Sequence, residues 1–184
     1  MDPAFYNRPV VELARALIGC TLSVDGVGGV IVETEAYHSG DPASHSFRGP
    51  STRTAAMFGP PGRIYVYRIY GLHWCMNIVG GAERAAAVLL RALEPTQGLD
   101  AMTARRGTAN PRLLCSGPGR LCAALGVTGA MDGCALDAPP FVLLPRPAEP
   151  PILVGPRIGI TKAAEEPWRF GLAGSRFLSR PFPR

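Results

Sequence analysis

The stretch TLSVDGVGGVIVETEAY, residues 21–37, constrains the fold more than any other part of this chain. β-Branched and apolar residues recur on both sides of Asp25-Gly26, a dipeptide that favours the tight turn of a β-hairpin. The pattern predicts two strands, over 20–24 and 29–37, that pair with each other. The chain is therefore expected to contain an antiparallel sheet.

Two carboxylates lie on the second of these strands. Because side chains alternate along a strand, Glu33, Glu35 and Tyr37 share one face, and the residues between them face the core. In most proteins such a polar face is simply exposed to water. The alternative is that the Ser-, Pro-, Gly- and Arg-rich loop over 38–63 covers this face and forms a cleft. One carboxylate could then act as a general base on water, and the tyrosine could stack on a planar substrate.

The rest of the chain alternates between short helical and strand-like segments. We predict three helices: one capped by Asn7 and stopped by Gly19, one over 97–105 capped by Thr96, and one opened by Ser116-Gly117-Pro118 and stopped by Gly126. We also predict a hairpin over 64–79 with its turn at Gly71 and a strand over 86–95. Further strand-like pieces lie at 141–144, 157–161 and 169–175. This order predicts a single α+β domain over 1–184. It should have a mainly antiparallel, curved sheet, short helices packed around it and a protruding β-hairpin.

The chain is basic, with a formal net charge of +5. All but one of its 19 basic residues are arginines. Arginine binds phosphate through paired N–H groups, so this composition favours a polyanionic partner. A GC-rich genome would produce the same excess of arginine, and composition alone leaves both explanations open.

The cysteines and the apolar segments indicate an intracellular protein. There are five cysteines, an odd number, and no CxxC pair, which argues against a disulfide framework and a structural zinc site. The three histidines have no metal-ligand spacing, so we expect no metal and no other cofactor. The N-terminus lacks the apolar run of a signal peptide, and the longest apolar stretches are too short to cross a membrane.

The predicted hairpin over 64–79 is rich in tyrosine. Tyr65 and Tyr67 share one face, and Tyr65 is expected to belong to the core. Tyr70 lies beside the turn, where a large aromatic side chain has no local packing partner, so contact with another molecule is indicated. On a basic protein, such a tyrosine could act as a wedge between stacked bases.

Four motifs, ETEAY, YVYRIYGLHWCMNI, LLRALEP and LCSGPGRLC, resemble in sequence and order the alkyladenine (3-methyladenine) DNA glycosylase family. The resemblance runs from the first helix to the RFGLAGS stretch at 169–175, and so covers nearly the whole chain. Enzymes of this family flip a damaged purine out of the duplex and hydrolyse its bond to the sugar. The resemblance implies a monofunctional glycosylase of base excision repair.

The resemblance also implies roles for individual residues. The matching positions are Glu35, the general base; Arg91, which helps to hold the catalytic water; Tyr37 and Tyr67, the stacking walls of the base pocket; His45, which faces the flipped base and touches the sugar-phosphate backbone; Asn77, which disfavours the extra amino group of guanine; Tyr70, which fills the gap left by the base; and Arg106, a contact to the DNA backbone. Glu33 is interpreted as structural, bound to a hidden arginine or to backbone amides.

On this interpretation Glu35 stands at the cleft, takes a proton from water and stabilises positive charge on the sugar. Stacking between Tyr37 and Tyr67 would favour positively charged alkylated purines through cation–π attraction. The expected partner is double-stranded DNA with damaged purines of the 3-methyladenine, 7-methylguanine, hypoxanthine and ethenoadenine class. We expect a monomer without membrane contact, associated with the nucleoid in a bacterial cytoplasm.

Two other functions stay open at this point. A non-catalytic nucleic-acid-binding module could use the same surface, although a pure binder has no need to hold a carboxylate against a polyanion. A hydrolase of free nucleosides would cleave its substrate without any need for Tyr70.

Overall fold

Eight strands form one antiparallel sheet in the computed structural model, which describes residues 1–183. The strands are β1 (Thr21–Val24), β2 (Val27–Tyr37), β3 (Ile64–Ile69), β4 (His73–Gly80), β5 (Ala86–Gln97), β6 (Phe141–Leu144), β7 (Ile152–Gly155) and β8 (Arg169–Leu172). Their order is β3-β4-β5-β2-β1-β6, and β8 pairs with both β2 and β7. The predicted α+β class with a mainly antiparallel sheet is confirmed, as are both hairpins.

The long strand β2 bends where it crosses its neighbours. Its turn from β1 is the expected one, because Asp25 and Gly26 have φ angles of 49° and 75°. β2 begins at Val27, two residues earlier than predicted. A Cβ on Gly29 would lie 1.9 Å from the carbonyl oxygen of Glu94, so only glycine permits this close approach to β5. Register shifts between β2 and β5 mark bulges, which increase the local twist and curve the sheet.

Short helices cover one face of the sheet. They are α1 (Val10–Leu17), α2 (Leu99–Arg106), α3 (Pro111–Leu114) and α4 (Pro118–Leu125). α1 packs on β2 and α4 packs on β4, and together they enclose the main hydrophobic core. Leu13, Leu17 and Leu121 have no exposed surface in this core. Their burial removes apolar area from water and supplies the main driving force for folding.

The opposite face of the sheet is polar, and residues 38–63 cover it. This segment, predicted as a loop, contains two 3-10 helices, His45–Arg48 and Thr52–Phe58. Ser51 and Thr54 form a capping box at the start of the second one, which explains why it is ordered. Met57 then packs in a small apolar cluster on this face. The polar face is therefore covered by its own chain, as in the second of the two alternatives above.

Two predicted helix caps are wrong. Asn7 does not cap α1; the N-cap is Pro9, and the Val10 amide donates to Glu83 Oε2 at 2.9 Å instead. The carboxylate of Glu83, which is distant in the sequence, therefore binds the start of the helix in place of a local capping side chain. Thr96 lies within β5, which continues to Gln97, and α2 starts after Gly98.

The strand predicted over 157–161 is also wrong, since this segment forms bends without strand pairing. Its backbone and side chains bind the polar face of the sheet instead of a neighbouring strand. The pieces at 141–144 and 169–175 do contain strands, β6 and β8. The sequence interpretation missed α3 and β7.

Candidate active site

The site is built on one row of residues across the sheet. Register places Tyr65 beside Asn77, Asn77 beside Leu89, and Leu89 beside Glu35. Arg169 of β8 continues the row on the other side of Glu35. Because directly paired residues of antiparallel strands project to the same side, the residues of this row on β3, β4, β5, β2 and β8 all face the covered side of the sheet.

Glu35 is completely buried. Its Oε2 accepts a hydrogen bond from the Tyr37 hydroxyl at 2.8 Å and another from Arg91 Nη1 at 3.2 Å. Its Oε1 accepts from the backbone amide of Ile158 at 2.7 Å. From the sequence, Glu35 was expected to line the cleft itself. In the structure its carboxylate lies directly behind Tyr37, Arg91 and Ile158, which line the cleft. Charge-assisted bonds of this kind hold the carboxylate in one position.

Glu33 is also completely buried, and it has its own partners. Arg169 Nε donates to Glu33 Oε1 at 2.7 Å, and the hydroxyl of Ser179 donates to the same oxygen at 2.9 Å. The Ser179 amide donates to Glu33 Oε2. The expected binding of Glu33 to a hidden arginine and to a backbone amide is confirmed, and its structural role stays a prediction. The partners come from the C-terminal segment, which closes over this end of the face.

Arg91 lies between the two carboxylates. Its Nε is 3.3 Å from Glu33 Oε1 and its Nη1 is 3.2 Å from Glu35 Oε2. Burial alone would lower the pKa of Arg91, but Glu35 and Glu33 raise it above the ordinary value. Arg91 Nε is fully buried and makes no hydrogen bond among residues 1–183, so its contact with Glu33 is that of an ion pair.

A cavity of about 310 Å³ opens in front of Glu35 and is large enough for a small planar molecule. The side chains that carry its chemistry are Tyr37, His45, Tyr65, Tyr67, Asn77 and Arg91. Burial is the first cause that raises the pKa of both Tyr37 and Tyr67 above the ordinary value, so both rings stay neutral. Asn77 is fixed because its Nδ2 donates to the Tyr65 carbonyl at 3.0 Å.

His45 stands at the mouth of the cavity. Its Nδ1 lies 2.9 Å from the Tyr65 hydroxyl, and its ring meets the Tyr67 ring edge-on with centroids 4.5 Å apart. Burial against these rings, and then the nearby Arg53 guanidinium, lower the pKa of His45. The imidazole is therefore neutral near pH 7.

Arg157 positions one wall of the cavity and was missed in the sequence. Its guanidinium lies 4.6 Å from the Tyr37 ring centroid and 4.9 Å from that of Trp168. It forms a buried ion pair with Asp41 and donates to the Ala36 carbonyl at 3.0 Å. Arg157 thus ties β2, the covering segment and the Tyr37 ring together. Its place in a Pro- and Gly-rich stretch offered no signal of this role.

A groove of about 730 Å³ adjoins the cavity and shares His45 with it. Arg48, Arg53 and Lys162 line this groove, together with Phe47, whose side chain is exposed. The groove therefore presents positive charge and an aromatic surface next to the cavity, a combination suited to a nucleic-acid strand.

Tyr70 occupies the tip of the hairpin formed by β3 and β4. It is 85% exposed and has a φ of 53°, and Gly71 follows with a φ of 65°. A bulky residue with positive φ is unusual and costs conformational energy. Backbone strain of this kind clusters at functional sites, which points to a functional role for Tyr70. The residue also reaches the rim of the cavity. That the hairpin as a whole protrudes remains a prediction.

Arg106 lies apart from the cavity, in the last turn of α2. Its Nε donates to the Leu114 carbonyl at 3.1 Å, which connects α2 to α3. A contact with DNA by its remaining N–H groups stays a prediction. Within residues 1–183 no three His, Cys, Asp or Glu side chains are grouped so as to hold a metal ion. No helix in the same range is long and apolar enough to span a membrane.

A buried carboxylate behind an aromatic cavity, with an arginine in the cavity wall and a basic groove beside it, suits a protein that acts on planar bases of a polyanionic strand. Comparisons with known proteins agree with a protein that acts on nucleic-acid bases. The sequence profile of the methylpurine-DNA glycosylase family matches residues 4–176. The chain is 63% identical over 179 residues to a protein of Rhodopseudomonas palustris strain HaA2, covering 97% of this chain and 89% of the relative. It is 62% identical over 179 residues to one of Nitrosospira multiformis, covering 96% and 92%. Both relatives are named "Putative 3-methyladenine DNA glycosylase".

The chain belongs to the methylpurine-DNA glycosylase family. It is accordingly a monofunctional DNA glycosylase, a hydrolase of N-glycosyl bonds that acts in DNA repair. The family resemblance inferred from the four motifs is confirmed.

Proposed function

We propose that this protein removes alkylated or deaminated purines from double-stranded DNA by base flipping and by attack of a water molecule that Glu35 activates. The substrates are of the 3-methyladenine, 7-methylguanine, hypoxanthine and ethenoadenine class. The water attacks the sugar carbon while the bond to the base breaks, and the products are the free base and an abasic site. The observation that carries this proposal is the Glu35–Arg91 pair, with Arg91 in the wall of an aromatic cavity and Glu35 directly behind that wall.

Glu35 can accept the proton of the water without losing its present partners. Each carboxylate oxygen has two lone pairs, and Oε1 receives only the Ile158 amide. Its second lone pair is free for a water that enters from the cavity beside Arg91. The buried negative charge also stabilises the cation-like sugar of the transition state. Arg91 and Tyr37 hold Glu35 in place, which avoids reorganisation during the reaction.

The cavity would bind the flipped base, and the hairpin would contact the duplex that the base has left. The flipped base enters between Tyr37 and Tyr67, with His45 at the mouth and Asn77 excluding the amino group of guanine. Tyr70 enters the duplex and fills the gap, because its ring is exposed and has no packing of its own. The groove beside His45 then takes the strand that carries the lesion, and Arg106 contacts the backbone farther away.

The experiment uses a duplex with a single hypoxanthine and, in parallel, randomly methylated DNA. The expected result is release of free base from both and strand breakage only after alkali, as for a monofunctional glycosylase. Free inosine tests the nucleoside-hydrolase alternative and should stay intact. Salt-dependent binding of both DNAs without any release would contradict the proposal and support a non-catalytic binding module.

A further inference from the structure

Positive charge already lies on both aromatic walls of the cavity. The guanidinium of Arg157 is 4.6 Å from the Tyr37 ring centroid, and that of Arg53 is 5.5 Å from the Tyr67 ring centroid. An aromatic ring attracts a cation through the negative charge of its π face. When a guanidinium already interacts with the ring, a second cation gains less from the same ring and is repelled by the first.

Arg53 acts on more than one group at the mouth of the cavity. Burial raises the pKa of Tyr65 to about 12, while Arg53 opposes that rise. Arg53 also contributes, after burial, to the lowered pKa of His45. These effects show that the charge of Arg53 reaches the groups around the base position. Because His45 is neutral near pH 7, Arg53 supplies the fixed charge at the mouth.

The buried charges of the site are paired with one another, whereas Arg53 is not paired within residues 1–183. Asp41 is engaged by Arg157, Glu35 is engaged by Arg91, and both carboxylates are buried. No acidic side chain among residues 1–183 forms an ion pair with Arg53. A cationic base in the cavity would therefore be repelled by the unpaired charge of Arg53, whereas a neutral base would not.

We propose that Arg53 is a specificity-determining residue, whose charge favours neutral damaged purines over positively charged alkylated ones. The inference rests on the proposed function and names a substrate preference within it. It reverses the expectation from the sequence that cation–π stacking selects cationic lesions. Tyr37 and Tyr67 still stack on the base, but Arg157 and Arg53 weaken the preference of these rings for positive charge.

Arg53 suits a test by substitution. Its side chain is exposed on the 3-10 helix Thr52–Phe58, and the capping box of that helix uses Ser51 and Thr54 instead. The Arg53→Gln variant should therefore fold. Arg53→Lys retains the charge and serves as the conservative variant. Arg48→Gln removes a charge from the same groove and serves as the matched control.

The measurement is the single-turnover rate of base release from two duplexes, one with hypoxanthine, which is neutral, and one with 7-methylguanine, which is cationic. In Arg53→Gln, the ratio of the 7-methylguanine rate to the hypoxanthine rate should rise about two- to fivefold, the effect of one exposed cation–π contact. Arg53→Lys should keep most of the wild-type ratio. Arg48→Gln should slow both reactions equally, as expected for a phosphate contact.

The outcomes separate the inference from the proposed function. Release of neither base by the wild type would overturn the proposed function. Release of both by the wild type with an unchanged ratio in Arg53→Gln would overturn only the inference. Equal slowing of both reactions in Arg53→Gln would assign Arg53 to phosphate binding, and this also overturns the inference.

Discussion

Asp41→Asn removes one negative charge from the interior without changing the size of the side chain. Asp41 and Arg157 form an ion pair in which neither side chain is exposed. Arg157 Nη2 donates to Asp41 Oδ1 at 3.2 Å, and Nη1 donates to Oδ2. The variant leaves the guanidinium of Arg157 without its counter-charge, between Tyr37 and Trp168.

The expected cost is about 3–5 kcal/mol, because a buried charge without its partner is strongly destabilising. The unfolding free energy of a domain is about 5–15 kcal/mol, so the variant should fold but unfold in less urea. The matched control is Glu149→Gln. Glu149 pairs with Arg146 at 3.3 Å, but its side chain is 73% exposed, so this change should cost less than about 1 kcal/mol.

The assay is urea denaturation of both variants and the wild type, with the unfolding free energy obtained by linear extrapolation. Base release should also slow in Asp41→Asn, because Arg157 supports the Tyr37 ring and precedes Ile158, whose amide binds Glu35. If Asp41→Asn cost no more than Glu149→Gln, the reasoning that this ion pair fixes the covering segment would be refuted.

Three further changes test separate parts of the account. Tyr70→Ala should leave stability within about 0.5 kcal/mol of the wild type but slow base release from duplex DNA about tenfold or more, since it removes a stacking ring; unchanged release would exclude Tyr70 as a wedge. Asn77→Ala should increase release of normal guanine from undamaged DNA, and an unchanged guanine yield would remove Asn77 from specificity. Because the pKa of His45 is lowered, the unfolded chain binds more protons as pH falls below about 6.5, so stability should decrease there. His45→Gln should reduce that decrease in urea denaturation at several pH values.

The sequence predicted those parts of the fold that depend on short-range pattern. The Asp25-Gly26 turn and the alternation around it predicted the first hairpin and the common face of Glu33, Glu35 and Tyr37, which the structure shows. Pro118 at the start of α4 is a similar local signal. In each case neighbouring residues set the conformation, so the pattern alone was sufficient.

The interactions that complete the site depend on residues far apart in the chain. Asp41 and Arg157 are 116 residues apart, and Glu33 and Ser179 are 146 apart. Nothing in the local pattern indicated that the segment after Pro156 would bind the sheet through Arg157 and the Ile158 amide. Its β-branched residues suggested a strand, but tertiary contacts took precedence over this propensity.

The same limit applies to the position of Glu35. Strand alternation correctly placed it on the face that carries Tyr37, but not its depth behind Arg91 and Ile158. Depth depends on which side chains from other segments reach the same point. The resemblance to a family singled out Glu35 as the general base. Only the three-dimensional arrangement shows that Tyr37, Arg91 and the Ile158 amide hold its carboxylate in place.

The most direct test of the central claim is the single-turnover rate of hypoxanthine release by Glu35→Gln, measured together with its affinity for the same duplex. Glu94→Gln, at a half-buried position of β5 outside the cavity, is the matched control. We predict that Glu35→Gln binds the duplex as tightly as the wild type but releases the base at least about a hundredfold more slowly. Glu94→Gln should resemble the wild type in both measurements. Release at the wild-type rate by Glu35→Gln would contradict the assignment of Glu35 as the general base.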